Sequence, residues 1–362
     1  MSTLRGEPRV TDLSADPSAD PPADLSADLS AGLPPEREQV VASCPPVPAW
    51  TENLLFTPYD PTHNIGMWLH LGTVADAWEL WEDRALVTLP DDEGVLSMWA
   101  YHRTDPARRP AGANLRFVCL EPFRRWRITF DGFCLRTPQE SMRTGLVHDG
   151  EKVRLQLDLE VECATPVWDA HTAAEAATGR GGMDQQQWAK EHYEQLYRAR
   201  GTVRWGRREV AFDGTGWRDH SRGPRGDDSV NGWGGHVIAG CLFPGSGRAF
   251  GLSRYWSTDG TVTLEGGYVV EAGVLRHVRV VDVPRLDALV AAGEVLPFGL
   301  AWPDRRLELT ATTRTGLWTT FAGGLPYGVA SPGRAYAVNW ATCDWDGDVG
   351  HVYVERSDLR AG

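Results

Sequence analysis

At 362 residues the chain is long enough for one large domain or two ordinary ones, and 42% hydrophobic with 23% charged residues is close to a soluble globular composition. Lys plus Arg at 36 against Asp plus Glu at 49 gives a net charge of −13, which argues against nucleic acid or an anionic membrane as partner. No apolar run reaches the ~18 residues of a transmembrane segment, the N-terminus lacks the basic start and apolar stretch of a secretory leader, and the six cysteines are scattered without a CxxC pair, so the expectation is a cytoplasmic protein with free thiols.

Residues 1–45 repeat Asp-Leu-Ser-Ala and are rich in Pro. Such a composition buries too little apolar surface to offset chain entropy, which predicts a disordered tail. From Trp50 the pattern changes to short runs of Trp, Val, Leu, Phe and Tyr separated by turn clusters. NIGMWLHLGTV, LWEDRALVTLP and GVLSMWAYHR read as antiparallel strands, with a hairpin at PDDEG. LRFVCLEPFRRWRITFDGFCLR continues them, with a turn at Asp131 and Gly132, and VRLQLDLEVEC alternates with period two, one face buried and one wet. These runs define an N-terminal β domain over residues 46–183.

MDQQQWAKEHYEQLYRARG reads as a linking helix over residues 184–201, because Asp184 and Gln187 resemble a capping box, Trp188, His192, Leu196 and Ala199 share a helical face, and Gly201 suits its end. Residues 202–362 resume strand patterning as a C-terminal β domain. The pattern as a whole is all-β, two antiparallel barrels or strongly curved sheets, and no ~40-residue blade repeat points to a propeller. Sixteen tryptophans suit strand packing or an aromatic-lined pocket.

The stretch GTGWRDHSRGPRG, residues 214–226, concentrates charge and glycine where strand sequence ordinarily alternates. If extended, it places Trp217, Asp219 and Ser221 on one face and Arg218, His220 and Arg222 on the other. Its bland reading is a polar strand end in which Asp219 and Arg225 brace a turn. Other candidate sites are weaker. DWDGD sets Asp344, Asp346 and Asp348 at alternate positions, but Val349 stands where a calcium loop needs glycine, and an Asp-Gly hairpin explains it. No HExxH, GxSxG, Walker loop or correctly placed GxGxxG is present, so no metal and no cofactor is expected.

HYEQLYRARGTVRWGRREVAFDGTGWRDHSRGPRG, followed by GWGGHVIAGCLF, resembles the central signature of the carotenoid 1,2-hydratase (hydroxyneurosporene synthase) and AttH-like superfamily: a glycine, an Asp-His pair, then a Gly-Trp. WTENLLFTPYDPTHNIGMWLHLG and EPFRRWRITFDG are similar to the first domain of that family, and GHVYVE to its closing strand. Arg222 departs from it, standing where related sequences commonly carry an aromatic. The resemblance implies two lipocalin-like β-barrel domains with a ligand cavity near their junction. It also implies cofactor-independent chemistry on a long apolar small molecule, by hydration of an isoprenoid alkene or cyclisation of an isoprenoid or polyketide.

A carboxylic acid buried beside apolar surface keeps its proton and can donate it to an alkene, and tryptophan faces stabilise the resulting cation. Asp219 is the candidate donor, with Trp217 and Trp233 as candidate walls. His220 or His236 is placed to take the final proton, and Arg218 or Arg225 to hold a polar end of the substrate. Glu355, Glu52, Asp60 and Tyr59 are reserve polar groups. If one of Arg218, Arg222 and Arg225 pairs with Asp219, the acid is lost, and the residue becomes structural. A pericyclase that shapes a polyketide and a non-catalytic carrier of hydrophobic ligands are then the competing readings. The sequence leaves the substrate and the oligomeric state open.

Overall fold

The computed structural model describes residues 28–144, 149–170, 189–225, 233–320 and 335–358. The first unit is built from β1 (Trp50–Phe56), β2 (Tyr59–Asp60), β3 (Ile65–Val74), β4 (Ala77–Thr88), β5 (Val95–Arg103), β6 (Leu115–Glu121), β7 (Arg125–Thr137), β8 (Glu151–Cys163), β9 (Trp168–Asp169), β10 (Glu191–Trp205) and β11 (Arg208–Pro224). Its antiparallel pairings run β1–β3–β4–β5–β7–β8–β10–β11 and return from β11 to β1, so eight strands form a ring. Strand β7 is long enough to hold β6 along its first half and β5 along its second.

The second unit is a closed barrel of β12 (Trp233–Leu242), β13 (Ala249–Ser257), β14 (Val262–Glu271), β15 (Val274–Asp282), β16 (Val295–Trp302), β17 (Arg305–Thr320), β18 (Ala335–Trp345) and β19 (Asp348–Asp358), in that order. Closure leaves few unpaired strand edges. The fold is all-β and lipocalin-like. Among the described residues no helix is long and apolar enough to cross a membrane, and all six cysteines are unpaired.

Period-two alternation distributes most of the apolar side chains into three large cores. Leu54, Phe56, Leu69, Trp126 and Tyr197 fill the first barrel, and Val237, Phe250, Phe298 and Val354 fill the second. The third core lies between the barrels, where Trp68, Leu196 and Trp217 of the first meet Ile238, Trp340 and Tyr353 of the second. Two strands of the first barrel, β10 and β11, are therefore buried on both faces along part of their length.

That double burial overturns the expected helix. From Glu191 onward the segment read as residues 184–201 of a helix is strand β10, and residues 171–188 lie outside the described ones. A strand covered on both sides loses its polar alternation, and Glu, Gln, Leu, Arg and Ala are strong helix formers, so composition pointed the wrong way. The strands also divide later than expected. The first sheet continues through Pro224 and the second begins at Trp233, rather than at residue 202.

Two smaller expectations also change. Asp131 and Gly132 are not a turn but lie inside β7: Asp131 points outward to Arg154, with bonds of 2.9 and 2.8 Å, and Gly132 leaves room for the Asn114 amide, which an added Cβ would meet at 2.6 Å. The N-terminal segment is ordered against the barrel from residue 28, with a 3₁₀ turn at Pro35–Glu38, while residues 1–27 lie outside the described ones. Its low mean hydropathy concealed Leu29, Leu33 and Val40, which pack on the barrel, and the fully buried Glu38.

Candidate functional site between the barrels

Strand β11 carries the site because its alternation sends opposite chemistry to its two faces. Arg218, His220 and Arg222 point into the first barrel. The Arg218 guanidinium pairs with the Glu38 carboxylate and donates from Nε to Gln195 Oε1 at 3.3 Å. Glu38 also accepts from Tyr193 Oη at 2.6 Å and from Trp126 Nε1 at 2.9 Å. Burial pushes the Glu38 carboxyl up, but Arg218 and the Tyr193 hydroxyl outweigh it and hold it below its ordinary range. His220 is bonded at both nitrogens, to Tyr193 Oη at 2.8 Å and to Glu52 Oε1 at 2.7 Å, and burial lowers its pKa. Arg222 donates to Glu191 at 2.9 Å and to the Arg37 carbonyl at 2.7 Å. These groups form a hydrogen-bonded network inside the first barrel.

Trp217, Asp219 and Ser221 face the second barrel. Trp217 stacks on Tyr353 with ring centroids 5.2 Å apart and donates from Nε1 to Glu194 Oε2 at 3.1 Å. Glu194, fully buried, also takes His192 Nε2 at 2.9 Å and, from across the interface, Ser253 Oγ at 2.9 Å. Asp219 stands beside this group. Among the described residues its ion-pair partner within 4.0 Å is His192, at 3.7 Å from Nδ1, and no arginine pairs with it. Arg225 instead donates to Ser221 Oγ at 2.7 Å. Burial pushes the Asp219 carboxyl up to about 7; His192 and Arg225 pull it down, and the Glu194 and Glu355 carboxylates push it up further.

The second barrel supplies an acid of the opposite tendency. Glu355 Oε1 lies 2.9 Å from His236 Nε2, and Oε2 accepts from Tyr353 Oη at 2.7 Å and Trp68 Nε1 at 3.3 Å. Burial raises Glu355, but His236 and these donors prevail and hold it below its ordinary range. His236 stacks on Tyr255, centroids 5.4 Å apart, and bonds Ser357 Oγ at 2.6 Å. Beyond Trp68 lie His70, stacked on it at 5.4 Å, and Glu82, held at about 2 because Arg84 and His70 outweigh its burial. Arg84 lies over the Trp99 ring at 3.5 Å.

The structure thus brings Asp219, Trp217, Arg225, His236 and Glu355 to one face and places Arg218 and His220 on the other side of the sheet. Trp233 begins β12, opposite Ser257, and its side chain lies outside the described residues. Glu52 belongs to the internal network, while Asp60 accepts from Thr62 N at 2.8 Å and pairs with His63 at 2.7 Å, as a turn brace does. Tyr59 Oη donates to Asn64 at 2.9 Å. The DWDGD stretch is a hairpin in which Asp344 accepts Gly347 N at 2.9 Å. Among the described residues no group of three or more His, Cys, Asp or Glu is arranged to hold a metal ion. The helical reading hid His192 and Glu194, although the spacing His192, Glu194, Leu196 is itself a period-two signal.

Fold and site together define a two-barrel, lipocalin-like protein with an ionisable, aromatic-walled face between its halves. The chain belongs to the family described as a domain of unknown function, DUF7064, which matches residues 36–360. No curated protein matches it. Among solved structures it is similar to a protein described as AttH from Nitrosomonas europaea, at 13% identity and a TM-score of 0.55, covering 86% of this chain and 92% of that one. That likeness shows the AttH-like fold. Kievitone hydratase from Nectria haematococca matches at 8% identity and TM-score 0.49 over 85% of this chain and 89% of that one. CghA, solved with Sch210972, matches at 11% and 0.47 over 87% and 90%.

Proposed function

We propose that this protein is a cofactor-independent enzyme that protonates an alkene of a small apolar substrate, of isoprenoid type, at the face between the barrels, and completes the reaction by hydration or cyclisation. The observation that carries this reading is the pairing of two acids with opposite environments on one face: Asp219 pushed up to about 7 and Glu355 held below its ordinary range. Carboxyls driven apart in this way divide acid and base roles between them. Asp219 is the donor: its proton forms a C–H bond at one alkene carbon and leaves the neighbouring carbon as a tertiary cation, which the Trp217 ring on the same face and the Trp68 ring beside Glu355 would stabilise. The Glu355–His236 pair is the acceptor side, taking the proton released when water adds or when a cyclised cation loses a C–H proton.

Arg225, on the same face, is placed to hold a polar end of the substrate. The finer likeness to carotenoid 1,2-hydratases rests on the Asp-His and Gly-Trp motif and agrees with this chemistry. The test is turnover of acyclic isoprenoid alkenes in heavy water. The expected product carries deuterium on carbon, and Asp219→Asn lowers the rate by about 10²-fold or more. Product without carbon-bound deuterium points to a pericyclic route, and binding without product to a carrier; either result contradicts the proposal.

A further inference from the structure

In the antiparallel register of β10 and β11, Glu194 lies opposite Asp219 and His192 opposite Ser221. Both β10 side chains therefore rise on the face that carries Asp219. His192 sits between two carboxylates, with Nε2 at 2.9 Å from Glu194 Oε1 and Nδ1 at 3.7 Å from Asp219 Oδ2. Glu194 is held by three donors, His192 Nε2, Trp217 Nε1 and Ser253 Oγ. A carboxylate so occupied is an acceptor, and its place is to fix the ring orientation and to keep a proton on Nε2. The other nitrogen, Nδ1, lies within ion-pair distance of Asp219. An imidazole between an anchoring carboxylate and a reacting one is arranged to carry protons.

We propose that His192 is the proton partner of Asp219 and that Glu194 is the residue that positions it. The inference rests on the reading of Asp219 as a proton donor. Once Asp219 has given its proton to an alkene carbon, the Nδ1–H bond of the His192 imidazolium breaks and that proton moves to Asp219 Oδ2. His192 is left neutral, with Nε2–H still on Glu194. The cycle closes when the proton released by the added water, or by the C–H bond of a cyclised cation, returns to His192 through the acceptor side. Water is the only co-reactant in hydration, and cyclisation needs none. The 3.7 Å gap must close by roughly half an ångström for transfer, as catalytic hydrogen bonds in ligand-free sites commonly do.

Asp219 is faced by His192 and Glu194 of β10, by Arg225 beyond β11, by Tyr255 of β13 and by Glu355 of β19 with His236 of β12 bound to it. Among these, His192 alone makes an ion-pair contact with it among the described residues. The test is a pH titration of the full-length chain by ¹⁵N-imidazole and ¹³C-carboxyl NMR, in the wild type and in the near-isosteric variants Asp219→Asn, His192→Gln and Glu194→Gln.

The expected wild-type result is a doubly protonated His192 ring at neutral pH, titrating in step with Asp219. Asp219→Asn lowers the His192 midpoint by about 1 in pH, His192→Gln raises the Asp219 midpoint by a similar amount, and Glu194→Gln lowers His192 furthest. If Glu194→Gln does not fold, the first two variants decide the matter alone. A His192 midpoint unchanged by Asp219→Asn overturns the partnership, even where Asp219 titrates near neutrality and the acid reading stands. An Asp219 already ionised at pH 5 in the wild type removes the acid reading and the partnership together.

Discussion

The two barrels end on comparable strands that have been put to different use. In each, the last strand turns an arginine inward, Arg218 on β11 and Arg356 on β19, and each arginine clamps a glutamate from a segment that straps the barrel end. Arg356 holds Glu294 through two bonds of 2.8 and 2.6 Å, with Asn339 adding a third at 2.9 Å. Glu294 is 21% exposed, whereas Glu38 is wholly buried. In the second barrel the strap comes from the connection between β15 and β16; in the first it comes from ahead of β1. Beside each arginine an acid points outward, Asp219 after Arg218 and Glu355 before Arg356, and both face the space between the barrels. One architecture thus supplies both a structural pair inside each barrel and a mismatched pair of acids between them.

Breaking the clamps measures how unequal they are. Arg218→Met leaves Glu38 as a buried charge without its cation, and the expected loss is about 3–5 kcal/mol in denaturant unfolding. The equivalent change at Arg356 leaves a partly solvated Glu294, so the expected loss is smaller, about 1–3 kcal/mol. Equal losses would show that the N-terminal strap is no more integral than a surface connection.

Asp219 and Glu82 differ in the sign of their pH dependence. Asp219 has its folded pKa raised from 3.8 to about 7, so between those values the native state binds more protons than the unfolded state and stability falls as pH rises. Glu82, lowered from 4.5 to about 2, contributes stability above 4.5 that is lost as pH falls through that window. Asp219→Asn is therefore expected to remove a decline in stability between about pH 4 and pH 7 while leaving the acid limb in place. Thermal unfolding across pH checks this, and an unaltered neutral limb would count against a raised Asp219. The smallest effect is expected at Ser253→Ala, which withdraws one of three donors from Glu194 across the interface and costs about 1 kcal/mol, measured by chemical unfolding.

The same contrast explains what was legible in the sequence. The alternation of Trp217, Asp219 and Ser221 against Arg218, His220 and Arg222 could be read directly, because it needs only an extended backbone. It cannot reveal which face meets the second barrel, and the structure sets His220, expected to take the final proton, on the face turned away from Asp219. His192 and Glu194 were hidden for a different reason: β10 is buried on both sides there, and its residues favour helix when tertiary packing is left out. Glu38 was hidden by averaging, since a single buried carboxylate does not alter the composition of a polar segment. The all-β class survived these errors because the hairpin signals, such as Pro90 to Gly94, are local; Asp91, Asp92 and Gly94 indeed adopt positive φ there.

The donor role requires that Asp219 titrate far above the ordinary aspartate range, so that a large share of molecules still carries its proton near neutral pH. The most direct measurement is the ¹³C chemical shift of its carboxyl carbon in the full-length chain as pH is varied, assigned by comparison with Asp219→Asn. The expected midpoint is near 7, against an ordinary aspartate value of about 3.9. A midpoint at or below that ordinary value would mean that Asp219 is an anion throughout the neutral range, and the proton donor would have to be sought elsewhere.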